Sequence, residues 1–502
     1  MLSHSPKNIA ILGAGAAGTA LFINLIDHII QIGNSTNFKI TVIEKTGIFG
    51  PGLAYSTQLD NNLLNTPAFD LGIIHGYKTH FWSWVVENES LWQAHCQKPI
   101  FYERNTPLPR KLYGFYLQTM FHNAKKKAAK AGILIKLMAD EAVDIIKNQQ
   151  GYNLYFKINP PQDFDIICCC LGLGKKTRYP HLSQQSNYFA FPGEDELHFS
   201  TIPKTAKVAI LGARLSAIDS ILLLAKNKHN GEIYSISRTA TMPNVISKHV
   251  KYPRHYLNKS YLLALTKNGE NFLTLKQLAM LIKKEYRYYE KKNLKLKSLL
   301  IANKKPIVKF RYDIIKVNNK IRSWQAALYA TNDVVNLIWR LLAPEAKQVI
   351  GKYYMRLFQS QRIAMPLCNA KKIYQLYRNK KLSFHNDHAH IEHANNKFFI
   401  TMRNKNLSIS VDYLIDAAGL TQSIAESSNQ FIKNLVSYGL ATPDQFDFIS
   451  INPDTMQAIN NKSLSENIYV LGGLTQGTYI ASNLMESIVE LSQNIIRNII
   501  QT

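Results

Sequence analysis

The feature that most constrains this chain is six residues long. Gly13-Ala14-Gly15-Ala16-Ala17-Gly18 follows a short apolar run at residues 8–12 and opens a segment in which Leu21, Leu25 and Ile29 recur at helical spacing. A second apolar run at 39–43 follows, and Glu44 ends it, 26 residues beyond Gly18. Strand, glycine turn, helix, strand and terminal acid predict a parallel βαβ unit that binds a dinucleotide, for which the acid is expected about 20 residues on. Each glycine has its own reason. Gly13 makes the tight turn, Gly15 lets the backbone approach a pyrophosphate, and Gly18 lets the helix lie close on the strand. The helix entry at Ala16 offers unpaired amides to phosphate. Glu44 accepts from ribose hydroxyls and repels a 2′-phosphate, so the expected ligand of this unit is FAD or NAD rather than NADP.

The pattern returns at residues 207–238. An apolar strand at 207–211 leads into Gly212-Ala213-Arg214-Leu215-Ser216-Ala217, and Ile218, Ile221, Leu222 and Ala225 give the next helix an apolar stripe. Arg214 stands where a second glycine belongs, which leaves two readings open. It blocks the phosphate approach, or it replaces backbone amides with a guanidinium. The strand at 232–237 runs into Arg238, 21 residues after Ala217, where an NAD-preferring fold places its acid. A guanidinium there favours NADPH, with NADH the alternative.

Two further runs, 165–172 and 412–419, each pass from an acid through an apolar strand to a glycine, Gly172 and Gly419. We expect both to be returns of an interrupted first domain. A late strand at 467–471 enters Gly472-Gly473, followed by a helix that carries Leu484, Ile488, Leu491, Ile495 and Ile499. These glycines are expected at the flavin end of the first site. The predicted class is α/β: an FAD-binding Rossmann-like domain interrupted by a second, NAD(P)-binding-like Rossmann domain, with a largely helical insertion. The expected boundaries are 1–175 and 377–502 for the first domain, 176–250 for the second, and 251–376 for the insertion with the rest of the second.

Composition narrows the partners without choosing among them. The formal charge is +26 over 502 residues, and residues 281–322 hold 14 Lys or Arg against three acids. Small anions, nucleic acid and acidic lipid surfaces all suit such a surplus, and a solvated basic face is its commonest origin. Nucleic acid therefore stays open as a partner, although no RNA or DNA module signature accompanies the stretch. The five cysteines, three of them consecutive at Cys168, Cys169 and Cys170, fit neither a disulfide framework nor a zinc site, and the trio reads as core packing in a strand. His385, His388, His390 and His393 lack the cysteine or paired acid that a metal site would add, so no metal is expected. No apolar stretch is long enough to span a membrane and no tripartite leader opens the chain, so a cytoplasmic protein is expected.

With these residues in view, the chain resembles the FAD/NAD(P)-binding protein family, two-dinucleotide-domain flavoproteins related to the flavin-dependent N-monooxygenases. The resemblance is carried by Phe49-Gly50-Pro51-Gly52-Leu53-Ala54-Tyr55-Ser56, Leu63-Leu64-Asn65-Thr66-Pro67-Ala68 and Pro109-Arg110-Lys111-Leu112-Tyr113-Gly114. It continues through Met242-Pro243, Trp324-Gln325, Trp339, Gln361-Arg362-Ile363-Ala364-Met365-Pro366 and Tyr469 to Gly473. It implies FAD in the first domain, NAD(P)H in the second, and chemistry at the flavin ring, with hydroxylation of the amine of a small substrate or amino acid as the related reaction. A flavin oxidase or reductase without oxygenation is the alternative within enzymology. A basic flavoprotein that binds RNA or a protein partner is the alternative outside it.

Three side chains are candidates for catalytic roles. Asn65 is placed to bond flavin or substrate, or to make an Asx turn before Pro67. Arg110 offers a fork for phosphate or carboxylate, or a structural ion pair. Residues 191–198 resemble the FxGxxxH element of flavin monooxygenases with one extra residue before His198, which either contacts a cofactor from an interdomain linker or is incidental.

Overall fold

The computed structural model describes the chain apart from residues 1–5, 97, 173, 175–177, 239–241, 249–251, 291–305, 320–321, 363, 387–389, 404–407, 420–422, 462 and 502. His388, Ile363, the expected boundaries at 175/176 and 250/251, and the middle of the basic stretch lie outside the described residues.

The first unit is a six-stranded sheet in the order Gln457–Asn460, Ser463–Val470, Ile166–Cys169, Lys7–Leu12, Phe38–Ile43, Leu134–Met138. All neighbours are parallel except the first two strands, which pair antiparallel. Lys7–Leu12 feeds the helix Ala16–Gln31, whose Leu21, Leu25 and Ile29 are buried. Strands on both sides of Lys7–Leu12 place a topological switch point at the mouth of the Gly13 turn, where open α/β sheets bind ligands. The last helix, Met485–Gln501, packs on Ala16–Gln31 and buries Ile488, Leu491, Ile495 and Ile499.

The second unit is a parallel five-stranded sheet in the order Leu382–Asn386, Ile233–Ser237, Val208–Leu211, Tyr413–Asp416, Tyr188–Phe189. Here the structure differs from the sequence expectation. Tyr413–Asp416 pairs with Val208–Leu211, in register Asp416 to Leu211, so the run at 412–419 closes the second unit and not the first. The chain therefore re-enters the first unit after Gly419 rather than at 377. Its next helix, Gln430–Ser437, docks there through Asn434, which donates to the Val143 carbonyl. The physical reason is that any central parallel strand, buried on both faces, reads as an acid-flanked apolar run. Only its pairing reveals which sheet it joins.

The first glycine of each turn shows the same assignment independently. A Cβ on Gly13, at φ +89°, would stand 3.0 Å from the Cys170 carbonyl oxygen. One on Gly212, at φ +130°, would stand 2.5 Å from the Ala417 oxygen. Each turn thus lies against the end of its own closing strand.

The insertion divides between the units. Helices Pro306–Asn319 and Leu367–Arg378 bury Phe310, Val317, Ala370 and Ile373 in the core of the second unit. Leu262, Leu273, Val335 and Trp339 instead form a separate cluster with Ile480 and Ala481 of the first. The Trp339 indole donates to the Gly477 carbonyl at 2.8 Å, fastening this cluster to the loop that follows Gly472. The three cysteines are buried as expected, and burial pushes the Cys169 thiol up to about 12.

Candidate active site

The fingerprint glycines do different work, and the geometry separates them. A Cβ on Gly18 would lie 1.9 Å from the Gly13 carbonyl oxygen, so no side chain fits between helix and turn. A Cβ on Gly15 meets only the Gly52 Cα, at 3.4 Å. Gly15 has φ −73° and ψ −167°, open to any residue. Neither backbone strain nor a severe clash demands glycine at 15, which leaves the surface above it clear for a ligand. Gly52, at φ +52°, has the tighter constraint, since its Cβ would come within 2.6 Å of the Gly15 Cα.

Glu44 is buried beside the turn. Its Oε2 accepts from the Ala14 amide at 2.9 Å and its Oε1 from the Thr46 amide and hydroxyl at 3.2 and 3.0 Å. A carboxylate has about four lone-pair sites, so capacity for a ribose hydroxyl remains. A Cβ on Gly172 would meet nothing within 4 Å. Gly472, at φ +86°, faces the Ala17 side chain, and a Cβ on Gly473 would lie 3.1 Å from Asn483 Oδ1. The late glycines therefore stand at the entry of the first helix. Glycines without side-chain cover, helix amides and an inward acid form a donor and acceptor set that fits FAD.

In the second unit Arg214 holds φ −94° and ψ −166°, nearly the backbone geometry of Gly15. Its departure from glycine is therefore chemical and not conformational, placing a half-buried guanidinium at the helix entry. Ser216 and Arg238 are exposed at the same end of the sheet, and Gly419, at φ +100°, has open space where a side chain would go.

The three family-like segments of the first unit converge. A Cβ on Gly114 would stand 2.2 Å from the Tyr55 oxygen, one on Gly50 2.7 Å from the Gln118 amide, and Leu63 bridges to Pro109. Asn65 is exposed at this junction, and its side chain meets the Thr66 hydroxyl at 3.5 Å.

Arg110 makes the structural ion pair that stood as the alternative to a ligand-binding fork. Its Nε donates to the Leu63 carbonyl at 3.1 Å and a terminal nitrogen to Asp219 Oδ2 at 2.7 Å, tying the first unit to the first helix of the second. Burial raises the Asp219 carboxyl above its ordinary value, and Arg110 pulls it back. His198 makes no such tie. It is exposed, whereas Glu196, two residues earlier, is buried and accepts from the Thr57 hydroxyl, the Gln58 amide and the Asn62 side chain at 2.8 to 3.1 Å. The linker thus contacts the first unit through its acid and not its imidazole. The signal that marks Asp219 is that it is the lone acid in an apolar helix, whereas nothing local distinguishes Glu196.

A pocket of about 230 Å³ opens between the first unit and the helical insertion. On one side Lys78 lies 3.2 Å from both Asp70 and Glu486, leaving that group one negative charge in excess. Burial works against the Lys78 ammonium, but the two acids more than offset it and its pKa is raised. Arg254 forks onto Asp333 at 2.7 and 2.6 Å and is neutralised there. Lys248 is exposed at the rim. Behind the lining Tyr329, Arg362 donates to Asn332 and Thr331 and has no carboxylate partner among the described residues. Burial pushes the Tyr329 hydroxyl up to about 12 and draws the Arg362 guanidinium down to about 10. The pocket lining therefore carries both signs of charge, with an acidic excess around Lys78 and an exposed cation at Lys248, and Arg362 stands behind Tyr329. Of the lining residues only Gln325 stands among those that carry the family resemblance, and the lining is scattered over some 400 positions.

His385 bonds Ser383, His390 meets Glu392 and His393 packs on Phe398, on two different sheets. Among the described residues no group of three His, Cys, Asp or Glu side chains is arranged to hold a metal, and no helix is long and apolar enough to cross a membrane.

Residues 10–174 match the family model described as FAD-NAD(P)-binding, so the dinucleotide-binding reading of the first unit stands. No curated protein matches the chain. Solved structures share its whole fold. An ornithine hydroxylase of Pseudomonas aeruginosa is similar at 11% identity and a TM-score of 0.58, over 99% of both chains. A cadaverine monooxygenase of Erwinia amylovora, solved with FAD bound, is similar at 11% identity and 0.58, over 99% of this chain and 95% of that one. An L-lysine 6-monooxygenase of Pseudomonas syringae reaches 13% identity and 0.56, over 99% of both. At such identities the likeness establishes the two-dinucleotide flavoprotein fold. Nucleic-acid binding gains no support from it.

Proposed function

We propose that the protein is a cytoplasmic, FAD-dependent and NADPH-using oxidoreductase that hydroxylates the amine of a small substrate. The observation that carries this reading is a pocket lined by charges of both signs, walled in part by Glu486 on the helix that follows the Gly472–Gly473 loop. Asp70 and Glu486 suit a substrate ammonium, and Lys248 suits a carboxylate, the two ends of an amino acid. The amine activity named for similarly folded proteins agrees with it.

The chemistry that a bound flavin supplies is hydride acceptance from the nicotinamide and electron delivery to oxygen. The chain's own residues bind and orient. The turn at Gly13, Gly15 and Gly18 and the amides at Ala16 receive the FAD pyrophosphate, Glu44 its ribose, and Gly472 and Gly473 let the backbone approach the ring. Gly212, Arg214, Ser216, Arg238 and Gly419 frame the site for NADPH. The helix Ser323–Ala330 walls the substrate pocket through Gln325, Ala326, Tyr329 and Ala330 and so restricts water on that side.

The test is anaerobic reduction by NADPH and by NADH, followed by oxygen with and without ornithine, lysine and cadaverine. Faster reduction by NADPH and formation of hydroxylamine in step with NADPH consumed are expected. Hydrogen peroxide alone, whatever the amine, would move the reading to a flavin oxidase. Reduction by neither nucleotide would make the second unit purely structural.

A further inference from the structure

One helix of the insertion presents an apolar stripe to solvent on the face opposite its anchorage. Pro306–Asn319 is fixed to the second unit by Phe310 and Val317, and by Asp313, which accepts from Lys309 at 2.5 Å and from the buried Arg322 at 2.7 Å. On its outer side Val308 and Tyr312 are each 57% exposed and Ile315 is 48% exposed. At about 100° per residue these three fall within an arc of about 60°. Arg311 and Lys316 lie about 40° beyond either edge of that arc, and Phe310, Asp313 and Val317 occupy the far side. Arg311 is exposed, and the Lys316 ammonium sits 5.2 Å over the Tyr312 ring.

An apolar strip flanked on both sides by cations, on a chain of charge +26, is complementary to an anionic lipid surface. The aliphatic members decide between lipid and nucleic acid. Val308 and Ile315 cannot stack on bases, and a phosphate-binding helix would carry its cations at the centre of the exposed face. We propose that this helix seats the protein on an anionic membrane surface, with Val308, Tyr312 and Ile315 among the acyl chains and Arg311 and Lys316 at the phosphates. Attachment of this kind is peripheral and reversible, and it leaves the pocket between insertion and first unit free to work.

The test is flotation of the full flavin-bound chain with vesicles of phosphatidylcholine alone and of three parts phosphatidylcholine to one of phosphatidylglycerol. Binding to the anionic vesicles only is expected, weakening as salt is raised. The triple variant Val308→Gln, Tyr312→Gln and Ile315→Gln keeps the net charge and is expected to lose more than about tenfold in partitioning. Arg311→Gln with Lys316→Gln should also weaken binding, and should reduce its salt dependence. Unchanged partitioning of the triple variant would overturn the proposal in favour of plain basic adsorption. Displacement of the wild-type protein from vesicles by a single-stranded RNA to which the triple variant binds equally would overturn it in favour of nucleic acid. If the triple variant loses its flavin, Tyr312→Trp supplies the reading. Its added fluorescence should shift to the blue on anionic vesicles and be quenched by brominated acyl chains, and no shift would refute insertion.

Discussion

Replacing Arg110 with alanine separates an interdomain tie from a ligand-binding residue. The guanidinium stands 2.7 Å from Asp219, with the two side chains only 23% and 16% exposed. Removing one partner of such a pair leaves a poorly solvated carboxylate without compensation, at a cost of about 3 kcal/mol, the low end of the range because neither group is fully buried. Asp219→Asn leaves the more exposed Arg110 guanidinium without its counter-ion but still bonded to the Leu63 carbonyl, and should cost less, about 1 kcal/mol, the scale of a net hydrogen bond. With Asp219→Asn already in place, Arg110→Ala should then cost only about 1 kcal/mol more, a coupling of about 2 kcal/mol. The pH dependence has a definite sign. Burial already places the Asp219 pKa above its unfolded value, so its contribution to stability falls as pH rises between the two. Loss of Arg110 raises the folded value further and widens that window upwards. The deficit of Arg110→Ala should therefore be largest near neutral pH and shrink on acidification as Asp219 takes up its proton. Urea unfolding of the unmodified protein, the two single variants and the double variant across that range measures all of this. A loss below about 1 kcal/mol in Arg110→Ala, with kcat/KM collapsed and no pH-dependent deficit, would refute the tie and restore a ligand role.

Two further outcomes follow from the same geometry. Gly18→Ala forces a Cβ to within 1.9 Å of the Gly13 oxygen and should cost at least about 3 kcal/mol or abolish folding, whereas Gly15→Ala, with its nearest atom at 3.4 Å, should fold and lose flavin; absorbance of the bound flavin and unfolding midpoints on the two variants distinguish these effects. Arg238→Ala should weaken NADPH by roughly tenfold to a hundredfold while leaving NADH nearly unchanged, as read from reduction rates against nucleotide concentration, with Arg214→Gly beside it to show whether that guanidinium helps or obstructs either nucleotide.

What the sequence revealed and what it concealed divides along a physical line. The fingerprint was legible because its spacing is local: Gly13 holds the positive φ of the turn, Gly18 answers to the Gly13 oxygen five residues back and Gly15 to the ligand, even though Cys170 and Gly52 also press on the turn from far along the chain. The run at 412–419 was misassigned because a strand buried on both faces carries no mark of its neighbours. Arg110 and Asp219 are 109 positions apart, and their pairing exists only once the two units are packed. His198 drew attention through a motif, while the buried Glu196 beside it does the linking. Asn65 remains where a turn before proline placed it, exposed, and its bond to Thr66 at 3.5 Å gives no strong Asx turn.

The two nucleotide sites also differ in a way that bears on how they are used. Gly15 and Arg214 share one backbone conformation at equivalent helix entries, so the contrast between them lies in the side chain alone. At the first site the turn is glycine against glycine, Gly15 on Gly52, and on the proposed reading backbone amides meet the pyrophosphate while the buried Glu44 meets a ribose. Such contacts are fixed before the ligand arrives and suit one that stays bound. At the second site, on the same reading, the half-buried Arg214 at the entry and the exposed Arg238 beyond the next strand meet phosphate with side-chain charge. That arrangement favours fast capture and release, which a hydride donor must undergo in every turnover. On the proposed function, the same backbone unit, used twice, would hold a resident ligand in one copy and an exchanging ligand in the other through a substitution that leaves the backbone geometry at the helix entry intact.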